Sequence, residues 1–390
     1  MMQDICFGSS IIEVWIKENG EEKKIVFTGD LGNNDIPLLD SPTMIDSADY
    51  LVMESTYGGR LHMRNDDKAE MFLNIVSETI DRGGNVVIPS FAVGRTQEIL
   101  YELNKLKEER DDKEFLEKYE KLMNTQVYVD SPLAISATEV FKQNMNLFDE
   151  EVRKEIENGD NPLDFPGLKF TQTAEESREL NEITVPSIII SASGMCEVGR
   201  IKHHLKHNLW NPNSTILFVG YQAPGTLGYK IVNGEKSVRI FGEDIAVNAR
   251  IEYIEGYSGH ADQEWLLNFV YSFRNKPKHI FLVHGEPEGQ KILKEKLLET
   301  TEIPVTIPDY GETYRLDDRI SIESRIDKKE KNKYLRLEVL ERLVTLKEEL
   351  EDMDAIIRQD LDDEDKKDEE IIEINERIKE LEMQIVKIIS

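Results

Sequence analysis

Two histidines set in matched turns constrain this chain more than any other feature. They lie within residues 256–286, His260 in the segment SGHAD and His284 in LVHGE, each beside a glycine and near an acidic residue. Phe281-Leu282-Val283 reads as a short buried strand that ends at His284-Gly285-Glu286. Ligands and catalytic groups commonly sit where a strand gives way to a loop. Upstream, residues 249–254 alternate like a half-buried strand and break at Gly256 and Gly259, which allow the backbone close to a metal or phosphate. A lone histidine in such a turn is more often a hydrogen-bonded loop or core residue. Two in matched contexts, with acidic partners upstream, reverse that balance.

The acidic partners also follow strands. IIEVWI (11–16) and KIVFT (24–28) flank Asn19-Gly20, a strong hairpin signal, and the second strand runs into Gly29-Asp30-Leu31-Gly32. A carboxylate between glycines at a strand end suits a cation such as Zn²⁺ or Mn²⁺, although an isolated Asp there is more often a turn former. ADYLVM (48–53) is another buried strand and delivers Glu54. The chain has only Cys6 and Cys196, so any metal must be held by His and carboxylates, and the reading is of a protein from a reducing cytoplasm. No run approaches a membrane span, and the start has no signal-peptide pattern. A formal net charge of −29 disfavours non-specific attraction to nucleic acid, which requires a locally basic groove here.

Between the hairpin and the two histidines the pattern is α/β. Residues 68–81 have helical apolar spacing, 86–88 read as a strand and 96–106 as the next helix, which implies a parallel sheet. Residues 89–95 lie at a strand-to-helix junction where Gly94 and Arg95 either hold a phosphate or only ease helix packing. The strands at 127–129 and 188–190 end at Asp130-Ser131 and at Ser191–Met195, whose small and hydroxyl residues leave room for a phosphate. The following helix carries Arg200, Lys202, His203, His204, Lys206 and His207, a basic face in an acidic protein. His203 and His207 are spaced as a metal pair, but packing or phosphate contact is the stronger reading without a flanking carboxylate. Tyr221 in GYQAPGTLG offers a base-stacking ring. Past residue 316 two apolar seams, Val339 to Ile357 and Ile371 to Ile388, have coiled-coil spacing.

The ordered set FTGDLG, ESTYGG, SGHADQ and LVHGE resembles the later motifs of the metallo-β-lactamase superfamily, in its β-CASP branch of RNA-processing nucleases. GGNVVIPSFAVGRTQEILYEL, VYVDSPLAISATEVF, IIISASGMCEVGRIKHHLKHNLW and ILFVGYQAPGTLG resemble the β-CASP cassette. The resemblance implies an α/β chain with an incomplete metallo-β-lactamase αββα sandwich (1–57 and 246–316), an inserted β-CASP parallel α/β domain (58–245) and a C-terminal helical hairpin or coiled coil (327–390). The family's N-terminal HxHxDH motif is not in this sequence, and Ile5 stands where a further family histidine falls. A truncated gene model, a natural fragment and a degenerate relative are the readings left open.

In complete relatives the resemblance implies two zinc ions and hydrolysis of an RNA phosphodiester. Asp30 and His284 are the implied metal ligands, His260 the implied leaving-group acid, and Glu54 the residue that orients it. Arg95, Ser191, Ser193, Lys202 and His204 are implied phosphate contacts. The expected activity is a metal-dependent ribonuclease, metal-deficient in this chain. The alternative is a non-catalytic RNA-binding or assembly subunit. A homodimer or partner contact through 327–390 is expected, and no membrane contact.

Overall fold

A computed structural model describes residues 2–3, 9–18, 20–33, 38–63, 65–108, 113–255, 257–316 and 320–325; the seams expected at 327–390 lie outside the described residues. The chain divides into two units, Met1–Pro308 and Asp309–Ser390. In the second unit, Glu312–Arg315 pairs antiparallel with Ser321–Arg325.

The first unit holds two sheets that position the site. The expected hairpin forms from Ile12–Glu18 and Glu21–Phe27, with Gly20 at φ 86 in the tight turn, where a side chain would be strained. Tyr50–Met53 pairs parallel with the second hairpin strand, His279–Leu282 pairs parallel with Tyr50–Met53, and Val305–Thr306 closes this five-stranded sheet. Val26, Leu51 and Ile280 are neighbours in register and share one face. They belong to one buried cluster with Leu266 and Phe269 of helix Gln263–Tyr271 and Leu293 and Leu297 of helix Pro287–Thr300, so one face of the sheet is sealed by helices.

The six-stranded sheet is wholly parallel. Its order is Arg250–Tyr253, Thr215–Phe218, Val86–Pro89, Ser187–Ser191, Gln126–Val129, Leu168–Phe170. The central strands are buried along their whole length, which is why they read as continuous apolar runs rather than alternating ones. Separate apolar clusters contain Ile88, Leu103 and Ile190 on the one hand and Val87, Leu205 and Ile216 on the other, as expected for a sheet packed on both faces. Arg250–Tyr253 follows residue 245, where the sequence places the return to the first sheet, yet it pairs with Thr215–Phe218. It is an edge strand of intermediate burial throughout.

Because both sheets are parallel over these strands, each gathers its loops at the carboxyl ends, the usual place for a site in such sheets. Among the described residues no helix is long and apolar enough to cross a membrane.

Candidate active site

Glu54 emerges from Tyr50–Met53 and is 1% exposed. A buried carboxylate must be saturated with donors. Its Oε1 accepts the Leu31 N–H at 2.5 Å, and its Oε2 lies 2.9 Å from His260 Nδ1 and accepts the Thr56 N–H at 3.3 Å. The loop that carries His260 is stitched to the one that carries Asp30. The Ala261 N–H donates to the Leu31 carbonyl at 2.7 Å and the Asn33 N–H to the Gly259 carbonyl at 2.8 Å. These bonds fix the imidazole from both its ring and its backbone. Burial lowers the His260 pKa, but the hydrogen bond and charge of Glu54, with the charge of Asp30 behind them, outweigh it and hold the pKa above its ordinary value.

Asp30 turns into the site after Gly29, whose φ of 59 makes the bend at the strand end. His284 adopts φ 46, a left-handed conformation that costs a non-glycine residue about 1–3 kcal/mol. Its carbonyl accepts the Ser55 N–H at 3.0 Å and the Thr56 hydroxyl at 3.3 Å, which holds it there. The next position has to be glycine, because a Cβ on Gly285 would sit 2.5 Å from the Ser55 carbonyl oxygen. The result is a His284 Nε2 to Asp30 Oδ1 distance of 3.3 Å. Ligand atoms of Asp30, His260 and His284 all lie within 4.8 Å of one another, the only group of three His, Cys, Asp or Glu side chains found at that spacing among the described residues.

His62 is a member that the sequence does not reveal. Its Nε2 lies 2.9 Å from the His260 carbonyl, so that ring nitrogen must be the donor, and its backbone N–H donates to Asp262 Oδ2 at 3.1 Å. Burial lowers its pKa, which favours the neutral ring. Nothing local marks it, because its partner is 198 residues away.

A cavity of about 450 Å³ opens beside these groups, lined by His260 and His284 and by residues from the carboxyl ends of both sheets, Thr56, Arg95, Tyr221 and Tyr257 among them. Of the five implied phosphate contacts only Arg95 lines it. The junction at Gly94 is not an open phosphate cradle, since the Gly94 N–H is taken by Gln97 Oε1 at 2.7 Å. Ser191 is 1% exposed and its hydroxyl donates to the Asp130 carbonyl at 2.7 Å. Ser193 Oγ accepts the Glu197 N–H at 3.2 Å, and Lys202 Nζ sits 5.2 Å from the Phe241 ring centroid. His204 is fully buried with Nε2 2.6 Å from Asp130 Oδ2. It cannot meet a phosphate in the cleft, because its side chain is sealed against Asp130 and does not line the cavity. Asp130 is itself saturated by Thr171, Ser177, Arg200 and His204.

Two family models match the chain: the Beta-Casp domain over residues 96–231 and the Zn-dependent metallo-hydrolase RNA specificity domain over residues 244–308. The chain is 36% identical to "Ribonuclease TTHA0252" of Thermus thermophilus over 76% of its own length and 65% of the relative's. It is 34% identical to an "RNase J-like protein" of Methanocaldococcus jannaschii, over 74% and 64%. It is 31% identical to "Transcription termination factor FttA" of Pyrococcus horikoshii, over 79% and 47%. The chain thus spans about two thirds of the first two relatives and about half of the third. A parallel cassette inserted beside a carboxylate–histidine cluster, together with these matches, places the chain in the β-CASP branch of the metallo-β-lactamase superfamily.

A metal cofactor belongs to the chemistry of that family. Asp30 and His284 supply an O,N donor pair that fits one divalent cation, with positions left open, and His260 stands beside that pair. A second cation would need ligands that the described residues do not supply.

Proposed function

We propose that the chain is the RNA-cleft and acid-bearing portion of a zinc-dependent RNA phosphodiester hydrolase. The observation that carries this is the cluster of Asp30, His260 and His284 beside the cleft, with Glu54 holding the ring of His260. Asp30 and His284 hold the metal. A bound divalent cation neutralises phosphoryl oxygens and lowers the pKa of water. His260, with its pKa raised and Nδ1 committed to Glu54, keeps the opposite ring nitrogen for the proton that goes to the leaving oxygen. Glu54 positions that ring and stabilises its charged form.

The test uses single-stranded RNA with added Zn²⁺ or Mn²⁺. His260→Ala is expected to depress turnover by about 10²-fold or more while metal content holds. His284→Ala is expected to depress both. RNA cleavage that survives Asp30→Ala and His284→Ala refutes the assignment.

The small donor set favours a second reading, a non-catalytic RNA-binding or assembly subunit. RNA binding without cleavage in the presence of either metal would select it. The apolar seams at 327–390 support self-association in either case, and loss of the dimer on removing them, measured by light scattering, checks that.

A further inference from the structure

We propose that the cavity beside His260 and His284 is a nucleobase pocket, in which one base next to the bound phosphodiester leaves the stack and settles on Phe91. The proposal rests on the RNA reading above. A site for phosphate alone calls for polar, basic walls, whereas this cavity of about 450 Å³ is walled by Leu38, Leu39, Phe91, Val93, Phe141 and Met195. Phe91 is 44% exposed and Val93 49%, although they directly follow a fully buried strand.

The ring of Phe91 is held flat by two glycines. A Cβ on Gly194 would lie 3.1 Å from the ring, and one on Gly220 would lie 3.5 Å from it. Both glycines let the ring rest on backbone, and its exposure leaves a surface for stacking.

Arg95 supplies the polar contact. Its side chain is 10% exposed, one end pairs with Glu98, and the guanidinium lies 5.4 Å from the Tyr257 ring centroid. Its Nε–H is buried without a hydrogen-bond partner. An unpaired buried donor is costly, so an acceptor arriving with the ligand has something to gain. The charge around it speaks for a base rather than a phosphate. The cavity lining carries Arg60 and Arg95 against Glu98 and Glu286, and Arg95 pairs with Glu98, so the wall has no surplus of fixed positive charge. A neutral ring with a carbonyl oxygen or ring nitrogen fits both the aromatic surface and the unpaired Nε–H. Phe91 and Arg95 are therefore specificity-determining residues of the cleft.

The experiment measures affinity of the whole chain for RNA pentanucleotides by fluorescence anisotropy, with one position at a time made abasic. In the wild type, base removal at one position is expected to weaken binding about tenfold or more, the scale of one stacked base. In Phe91→Ala that penalty disappears. Phe91→Leu, which keeps apolar fill without a ring, loses most of it too. Arg95→Lys narrows the preference among the four bases at that position. Equal penalties at every position, or a penalty that survives both Phe91 variants, overturn the pocket while leaving RNA binding intact. If no pentanucleotide binds at all, the RNA reading falls and takes the pocket with it.

Discussion

Two of the carboxylate–histidine pairs among the described residues, Glu54 with His260 and Asp130 with His204, differ in what closes over them. Glu54 and His260 meet at 2.9 Å, and the imidazole side chain remains 24% exposed beside the cavity. Asp130 and His204 meet at 2.6 Å with neither side chain exposed. Asp130 also takes hydrogen bonds from Thr171 at 2.5 Å, Ser177 at 2.6 Å and Arg200 at 2.8 Å. The first pair lies at the edge of the cavity. The second ties the ends of Gln126–Val129 and Leu168–Phe170 to helix Ile201–Asn208. The same two groups are open to the cavity in one place and sealed into the architecture in the other.

Asp130→Ala tests the contrast most severely. It strands a buried histidine and most of an arginine without their carboxylate, and is expected to cost about 3–5 kcal/mol in a denaturant titration. A cost near that of a surface substitution would show that the sealed pair is not structural.

Acid should separate the pairs next. Burial pushes the Asp130 pKa up, but the hydrogen bonds from His204, Ser177 and Thr171 and the charge of His204 more than offset it and hold the pKa well below the carboxylate range. A depressed folded-state pKa contributes stability that is present above the unfolded value of about 3.9 and is lost as pH falls below it toward the folded value. Stability measured across that window is expected to fall less steeply in Asp130→Asn than in the wild type.

Glu54→Gln probes the open pair. The neutral isostere removes the charge that raises the His260 pKa, so the NMR titration of that imidazole should move to lower pH. The fold is expected to lose no more than about 1–3 kcal/mol, the range for a disturbed buried hydrogen bond. A titration that does not move would mean that Asp30, not Glu54, sets the charge of His260.

The smallest effect belongs to His203, exposed on the same helix as His204 with its ring centroid 4.5 Å from that of Phe241. His203→Ala is expected to stay within about 1 kcal/mol in a thermal melt and to leave metal content unchanged. Lost metal would revive the spacing of His203 and His207 as a site.

Much of this architecture is written locally. The Asn-Gly turn, the continuous apolar runs at 86–88 and 188–190 and the helical spacing at 68–81 each became the expected element, because turn chemistry and side-chain period act over a few residues. Asp30, Glu54, His260 and His284 were legible as candidates because each follows a strand. Their assembly was not, since Glu54 and His260 are 206 residues apart and follow strands of different sheets, and the loops at 31–33 and 259–261 bring them together. The basic helix shows the limit from the other side. Its residues look alike in sequence, yet His204 is buried against Asp130 while Lys202 rests near Phe241, because helix facing is set by what packs against it. Sequence determined which residues are chemically able to act; the tertiary structure decided which of them face the cleft, because exposure depends on neighbours that the chain brings from elsewhere.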